Sequence, residues 1–398
     1  MKIAMLSWNT IEIGVGGVQG HVHFIAEELI ALGHEVQIIE LSTMSRQLQT
    51  TGRFAVRATR LLTGDTVAGF VERILEGFRI RGLAKTLLSQ LGDVDIVHFH
   101  DFLRILLLAR RLRGKYTIVW TNHLGEFIRL MDLPGGRHLT RRMTRVFDAA
   151  IGPSNQLAES SSVSPPITYI PNGVALGRFP LADDNARAAS RQALGLSQKP
   201  LVLVPRRWAP TKGVLDAARA ARLLKDSEIA FAFLGSAGAE DYPTYGEAIR
   251  TELDGLQNAT ILPSVAYSEM STWLRAADVV LIPSKLEATS LSALEAMSSG
   301  AIVLASEAGG LAQLISHGVT GFLLSDTRGD LLSEAIMMVF SQSEEIRADV
   351  RRQAAAMVAA DYSWALVARE TVAVYSVALR SRGRVAMSPF EVREIEAR

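Results

Sequence analysis

The chain has 398 residues, 48% of them hydrophobic and 21% charged, a composition that fits a globular protein of two or three domains and excludes a disordered one. It contains no cysteine, which excludes disulfides, thiolate zinc sites, iron–sulfur clusters and cysteine nucleophiles. A net charge of +1 excludes capture of polyanions by bulk charge.

In chain order, the segment Met1–Trp8 lacks the apolar core and cleavage site of a signal peptide. No apolar run approaches the roughly 20 residues of a membrane span, so a cytoplasmic protein is expected. Short apolar runs follow at 3–7, 36–39, 94–99, 116–120, 149–152 and 167–170. A second series stands at 201–204, 229–234, 260–262, 279–282 and 301–305. Runs of this length, separated by amphipathic spacers, read as parallel strands with crossover helices. In the first spacer Val18, Val22, Ile25, Leu29 and Leu32 make one helical stripe. The turn signal Asn172-Gly173 and the polar stretch 183–190 put a boundary near residue 180. The expected fold is α/β, with two facing, doubly wound, Rossmann-like domains and a cleft between them. The first domain spans 1–180, the second 181–365, and a helix and tail occupy 366–398. Ligands in such sheets sit at the carboxyl ends of the strands.

Four features converge on such a site, although five residues separate the glycine loop from Trp8, so that it does not begin at the strand end. Pro205 to Gly213 follows a strand and carries Arg207 and Lys212, a cation pair suited to a diphosphate. At about 4 Å each contributes an attraction of order 4 kcal/mol at an effective dielectric of about 20. Glu287 and Glu295 bracket a helix start at Thr289-Ser290, where the N–H groups of Ser290 and Leu291 form an anion site. The loop Gly14 to Gly20, with Gly16 and Gly17, allows close backbone approach to a phosphate. Gln19 stands where a dinucleotide fingerprint needs its third glycine, so a nicotinamide or flavin oxidoreductase is a distant alternative. His123, in Thr121-Asn122-His123, follows another strand and can hydrogen-bond a sugar hydroxyl.

Together these features resemble the retaining nucleotide-sugar glycosyltransferases of family 4, which have the GT-B fold. The resemblance spans nearly the whole chain. It includes the glycine loop, Asp95-Ile96-Val97-His98-Phe99-His100, Pro171-Asn172-Gly173-Val174, Ala277-Asp278, the Glu-x7-Glu pair at 287 and 295, and Tyr362-Ser363-Trp364. It implies that Arg207 and Lys212 hold the donor diphosphate with the amides of Ser290 and Leu291. Glu295 would bind the ribose and Glu287 the transferred sugar, with Val265 near the base. Gly16 and Gly17 would lie near the phosphates and His123 near the reacting sugar, and the Trp364 helix would pack back on the first domain. The chain departs from the family at Ala288, Thr289 and Ser290 after the first glutamate, at Ala175, and at Arg206, where glycine is usual.

The implied activity is retaining transfer from a nucleoside diphosphate sugar to a hydroxyl. UDP-sugar is the first choice of donor and GDP-sugar the second, and the acceptor is lipid-linked, saccharide or small-molecule. A nucleotide-sugar epimerase on the same fold is the alternative. No cofactor or metal is expected. Asp93-Val94-Asp95 precedes its strand, and His98 and His100 share a strand face without a further ligand at comparable spacing. Residues 46–145 carry 18 Lys and Arg against 8 Asp and Glu. With the stripe Val67, Val71, Ile74 and Phe78, they suit an anionic membrane surface on the inner face. Nucleic acid is not an expected partner, since no stacking platform accompanies the arginines.

Overall fold

The computed structural model of the chain describes residues 1–7, 17–41, 84–100, 106–123, 130–131, 133–158 and 163–383. The stripe at 67–78 and the loop residues Gly14 to Gly16 lie outside them. The chain divides into two compact units. One holds Met1–Ile170 together with the chain from Val367 onward, and the other holds Pro171–Leu366. The segment 171–180, assigned from sequence to the first domain, counts with the second unit. Its Asn172 donates from Nδ2 to the carbonyl oxygen of Thr289 at 2.9 Å, and Phe179 is buried in that unit's core.

In the first unit the strands are β1 Lys2–Ser7, β2 Glu35–Glu40, β3 Ile96–Phe99, β4 Thr117–Thr121, β5 Ala149–Gly152 and β6 Ile167–Tyr169. They pair in parallel in the order β2-β1-β3-β4-β5-β6. β3 and β4 are buried along their whole length, as a parallel sheet covered on both faces requires. The helix Gly17–Ala31 buries Val22, Phe24, Ile25 and Leu29. Leu32, expected in the same stripe, falls past the helix end and is exposed. Asp95 caps the sheet's amino edge, accepting from the N–H of Lys2 at 2.8 Å, which is the wrong end of the strand for ligand chemistry. Two residues of the last helical stretch tie it to this unit. The hydroxyl of Tyr375 lies 2.6 Å from Nδ1 of His98. Nε of Arg382 donates to Asp148 at 2.9 Å.

The second unit has β7 Leu201–Pro205, β8 Ala230–Leu234, β9 Ala259–Ile261, β10 Val279–Ile282, β11 Ile302–Ser306 and β12 Phe322–Leu324. They run in parallel in the order β12-β11-β10-β7-β8-β9. Alternate residues feed two cores. Leu201, Leu203, Val280 and Ile282 point to one, and Val202, Val204, Val279 and Leu281 to the other. β12, the edge strand Phe322–Leu324, was not among the apolar runs identified from the sequence. Asp278 locks the amino end of the sheet. It accepts from Arg191 at 2.5 Å and from the N–H of Leu201 at 2.7 Å. The Pro171–Val174 motif is structural as well. Val174 bridges to Ser363, and a Cβ at position 173 would stand 2.8 Å from the ring and backbone of Trp364. Glycine is what lets the two segments close on each other.

Candidate functional site

β7 is the strand from which the second sheet grows both ways, β8 and β9 on one side and β10 to β12 on the other. The carboxyl ends of β7 and β10 therefore flank the place where such sheets bind ligands. The loops leaving them, 206–213 and 283–290, are pressed together. Gly213 has φ +68°, and a Cβ there would lie 1.9 Å from the carbonyl oxygen of Pro283, so any side chain is both strained and obstructed. The N–H of Lys285 donates to the carbonyl oxygen of Thr211 at 2.8 Å.

Three charged side chains meet between these loops. Nη2 of Arg206 donates to Oε2 of Glu287, and to Oγ of Ser284 at 3.0 Å. Nζ of Lys212 donates to the same Oε2 at 3.1 Å, and the Ser284 hydroxyl donates to it at 3.1 Å. Arg206 and Glu287 keep only 8% and 11% side-chain exposure while Lys212 keeps 24%, so the ammonium is the edge that a ligand can reach. Burial pushes the Glu287 carboxyl up, but the charges of Arg206 and Lys212 outweigh it and hold the group below its ordinary value. Burial, then the charge of Arg206, lower the Lys212 ammonium from its ordinary value against the opposing pull of Glu287. Two cations around one carboxylate leave a surplus of one positive charge.

The helix Leu291–Ser298 begins directly after this cluster, and the Ser290 side chain caps it by accepting from the N–H of Ala293. The carbonyl oxygen of Ser290 takes the first helical bonds, from Ala293 and Leu294. The N–H groups of Leu291 and Ser292 thus lie ahead of the hydrogen-bonded turn, where an anion is favoured. Inside the helix, Oε1 of Glu295 accepts from the Tyr267 hydroxyl at 2.7 Å. Burial raises the Glu295 carboxyl to about 7, in spite of that hydrogen bond.

The second unit thus brings Lys212, Glu287, Ser290, Leu291 and Glu295 onto adjoining segments. Arg207 is placed differently. Its side chain is 58% exposed and pairs with Asp241 at 3.7 Å, so the guanidinium joined to Lys212 is that of Arg206. The neighbouring residue faces inward because successive residues leaving a strand point to opposite sides. Val265 is half-buried against the core of the same unit. Glu287, expected to meet the transferred sugar, has one oxygen taken up by the two cations. Sequence reasoning passed over Arg206, Ser284 and Tyr267. Arg206 was visible as a departure next to Arg207, whereas no spacing connects Tyr267 with Glu295.

In the first unit Gly17 opens the helix Gly17–Ala31, and Gly16 lies outside the described residues. His123 sits beside two other imidazoles: His21, His100 and His123 each have a ring nitrogen within 4.8 Å of the others. Donor atoms this close could hold a cation, an arrangement that no regular spacing announces.

Comparison with known proteins agrees with this geometry. Residues 15–178 match the family described as Glycosyltransferase Family 4. Residues 186–357 match Glycosyl transferases group 1. A phosphatidyl-myo-inositol mannosyltransferase of Propionibacterium freudenreichii is 30% identical over 379 residues, covering 91% of this chain and 92% of that protein. Sucrose-phosphate synthase of Thermosynechococcus elongatus superposes with a TM-score of 0.76 at 18% identity, over 96% of this chain and 99% of that one. HepE of Anabaena, solved with UDP and glucose, superposes with a TM-score of 0.71 at 18% identity, over 94% and 99%. These likenesses carry the GT-B fold.

Proposed function

Because the chain belongs to glycosyltransferase family 4, an enzyme family, we propose that it transfers a sugar, with retention of configuration and without a metal ion, from a nucleoside diphosphate donor to a hydroxyl. UDP-sugar is the preferred donor and GDP-sugar the second choice. A UDP complex of one structural neighbour, HepE, supports that order. The observation that carries the reading is the Arg206–Glu287–Lys212 cluster at the start of the helix Leu291–Ser298.

In the reaction the bond from the sugar's anomeric carbon to the diphosphate oxygen breaks, and a bond from that carbon to the acceptor oxygen forms on the same face. The electron pair leaves with the diphosphate, whose phosphate oxygen takes the acceptor proton. Negative charge grows on that diphosphate. Lys212, the surplus charge of the cluster and the N–H groups at Leu291 and Ser292 stabilise it in fixed positions. Glu287 neutralises one of the two cations and keeps its second oxygen for a sugar hydroxyl. Arg207 joins by exchanging Asp241 for a phosphate; an exposed pair of this kind is worth at most about 1 kcal/mol, so the exchange costs little. Glu295 accepts from the ribose hydroxyls.

The acceptor is a lipid-linked, saccharide or small-molecule hydroxyl. An anionic membrane is a proposed partner, which the lipid named in the Propionibacterium relative supports. The deciding experiment measures transfer from UDP-sugars and GDP-sugars after exhaustive EDTA treatment. Undiminished transfer is expected, with the product anomer matching the donor. Activity restored only by a divalent ion refutes metal independence, and an inverted product refutes retention.

A further inference from the structure

We propose that a cavity of about 850 Å³ in the first unit, lined by Arg110, Arg113, Arg145 and Arg382, is a binding site for a phosphate group, carried either by a small soluble anion or by a lipid head group. Its walls come from the amino side of the sheet. Gly114 precedes β4, Asp148 precedes β5 and Ser164 precedes β6. His123 follows β4 at the other end, and the five residues of β4 span about 13 Å at about 3.3 Å per step. A ligand held here cannot reach the carboxyl ends of the strands, where doubly wound sheets do their chemistry. The site therefore anchors or regulates, and it does not rest on the donor reading.

Three helices end at this cavity. The helix Leu106–Leu112 carries Arg110 in its last turn and is followed by Arg113, the helix Gly136–Thr144 has Arg145 as its C-cap, and Arg382 follows the helix Trp364–Ser381. The carboxyl end of a helix carries about half a negative charge, which by itself favours cations there. Magnitudes show that the arginines exceed this need. Four of them face one aspartate, Asp148, a surplus of three positive charges. The three helix ends offset about half of that surplus. The remainder suits the charge of about −1.5 to −2 on a phosphate ester at neutral pH.

The recessed part of the cavity is fixed in advance. Asp148 and Arg382 keep only 8% and 18% side-chain exposure. Oδ1 of Asp148 accepts from Nε of Arg382 at 2.9 Å, and Oδ2 accepts from the N–H of Ile118 at 2.8 Å. Nη1 of Arg382 donates to the carbonyl oxygen of Arg113, which ties the chain after one helix to the chain after another. The guanidinium of Arg382 is thus held in one orientation before a ligand arrives, with Nη2 unengaged among the described residues. Arg110, Arg113 and Arg145 are exposed, and among the described residues their side chains form no ion pair. They are available for the paired N–H bonds that a planar guanidinium makes to phosphate. The volume falls within the range of about 300–1,000 Å³ typical of small-molecule sites.

The test is hydrogen exchange read by mass spectrometry while the full-length protein is titrated with inorganic pyrophosphate, because each site then reports through its own peptides. Protection is expected over 110–116, 144–149 and 379–383. The variant R110A/R113A/R145A should weaken it at least about tenfold, the scale of losing one hydrogen bond to a charged group. The variant R137A/R141A/R142A removes the same charge from exposed positions of the helix Gly136–Thr144 that do not line the cavity. At physiological salt it should change the affinity by no more than about threefold. Protection over 206–213 and 289–293 belongs to the donor site and is read apart. Vesicles of phosphatidylglycerol form the second arm. If they protect the same three segments and pyrophosphate reverses this at constant ionic strength, the phosphate is that of a lipid head group; any other vesicle result assigns it to a soluble anion. Wild-type protein whose three segments stay unprotected by pyrophosphate overturns the proposal, even where a variant does not fold. Equal weakening in the two folded triple variants also overturns it.

Discussion

Arg206 and Glu287 are joined through a nearly buried ion pair whose acceptor oxygen, Oε2, is also the one Lys212 contacts. The pair spans the loops leaving β7 and β10, so it braces the donor site as well as charging it. Truncating Glu287 to Ala leaves two largely buried cations facing each other. A loss of about 3 kcal/mol is expected, read as a lowered denaturation midpoint in urea. A midpoint equal to wild type would show that the pair does not brace the loops.

Lys212 differs because its ammonium is the accessible member of the cluster. Lys212→Ala should lower kcat at least about a hundredfold, the scale for removing one charge-stabilising group, with the urea midpoint little changed. Arg207→Ala should weaken donor binding and leave stability unaltered, since its partner Asp241 is itself 38% exposed. Wild-type turnover in Lys212→Ala would remove the basis of the diphosphate assignment.

Glu295 makes stability depend on pH. Its folded value of about 7 lies above the ordinary 4.5, so between these the folded state holds a proton that the unfolded state has lost. Stability from this group is complete below pH 4.5, declines through the interval, and is gone above 7. Glu295→Gln should therefore be the more stable protein at pH 8, by up to about 3 kcal/mol, and lose the advantage toward pH 4.5. The variant should also bind nucleotide more weakly than wild type above pH 7, where the wild-type carboxylate is charged. Parallel pH profiles of the two melting temperatures would refute the shifted carboxyl.

Gly173 has a purely structural task. Gly173→Ala places a Cβ 2.8 Å from Trp364, and about 1–3 kcal/mol of stability should be lost through overpacking. Equal thermal midpoints for variant and wild type would show that the Val174–Ser363 contact opens freely.

The basic stretch supplies a membrane test. Arg110, Arg113, Arg145 and Arg382 line a cavity of about 850 Å³ in the first unit. Flotation with anionic vesicles should be strong at low salt and fade as salt rises, at about 1 kcal/mol per arginine near the surface. The triple variant R110E/R113E/R145E should not float. Wild-type protein that stays unbound to anionic vesicles at low salt would exclude the membrane as partner.

What the sequence determined alone was local and periodic. The eleven apolar runs became strands, and the stripe Val22–Leu29 became a helix; in β3, β4, β10 and β11 burial on both faces demands continuous apolar residues. The positions of Lys212, Glu287 and Glu295 near strand ends were equally legible, since a doubly wound sheet puts its ligands there. The tertiary structure decided which side chains meet. That Arg206 and not Arg207 turns to Glu287, that Tyr267 reaches Glu295, and that His21 and His123 lie beside His100 all depend on strand order. Order in a parallel sheet is set by which helices cover which faces, a long-range packing choice that leaves no trace in the spacing of the residues it brings together.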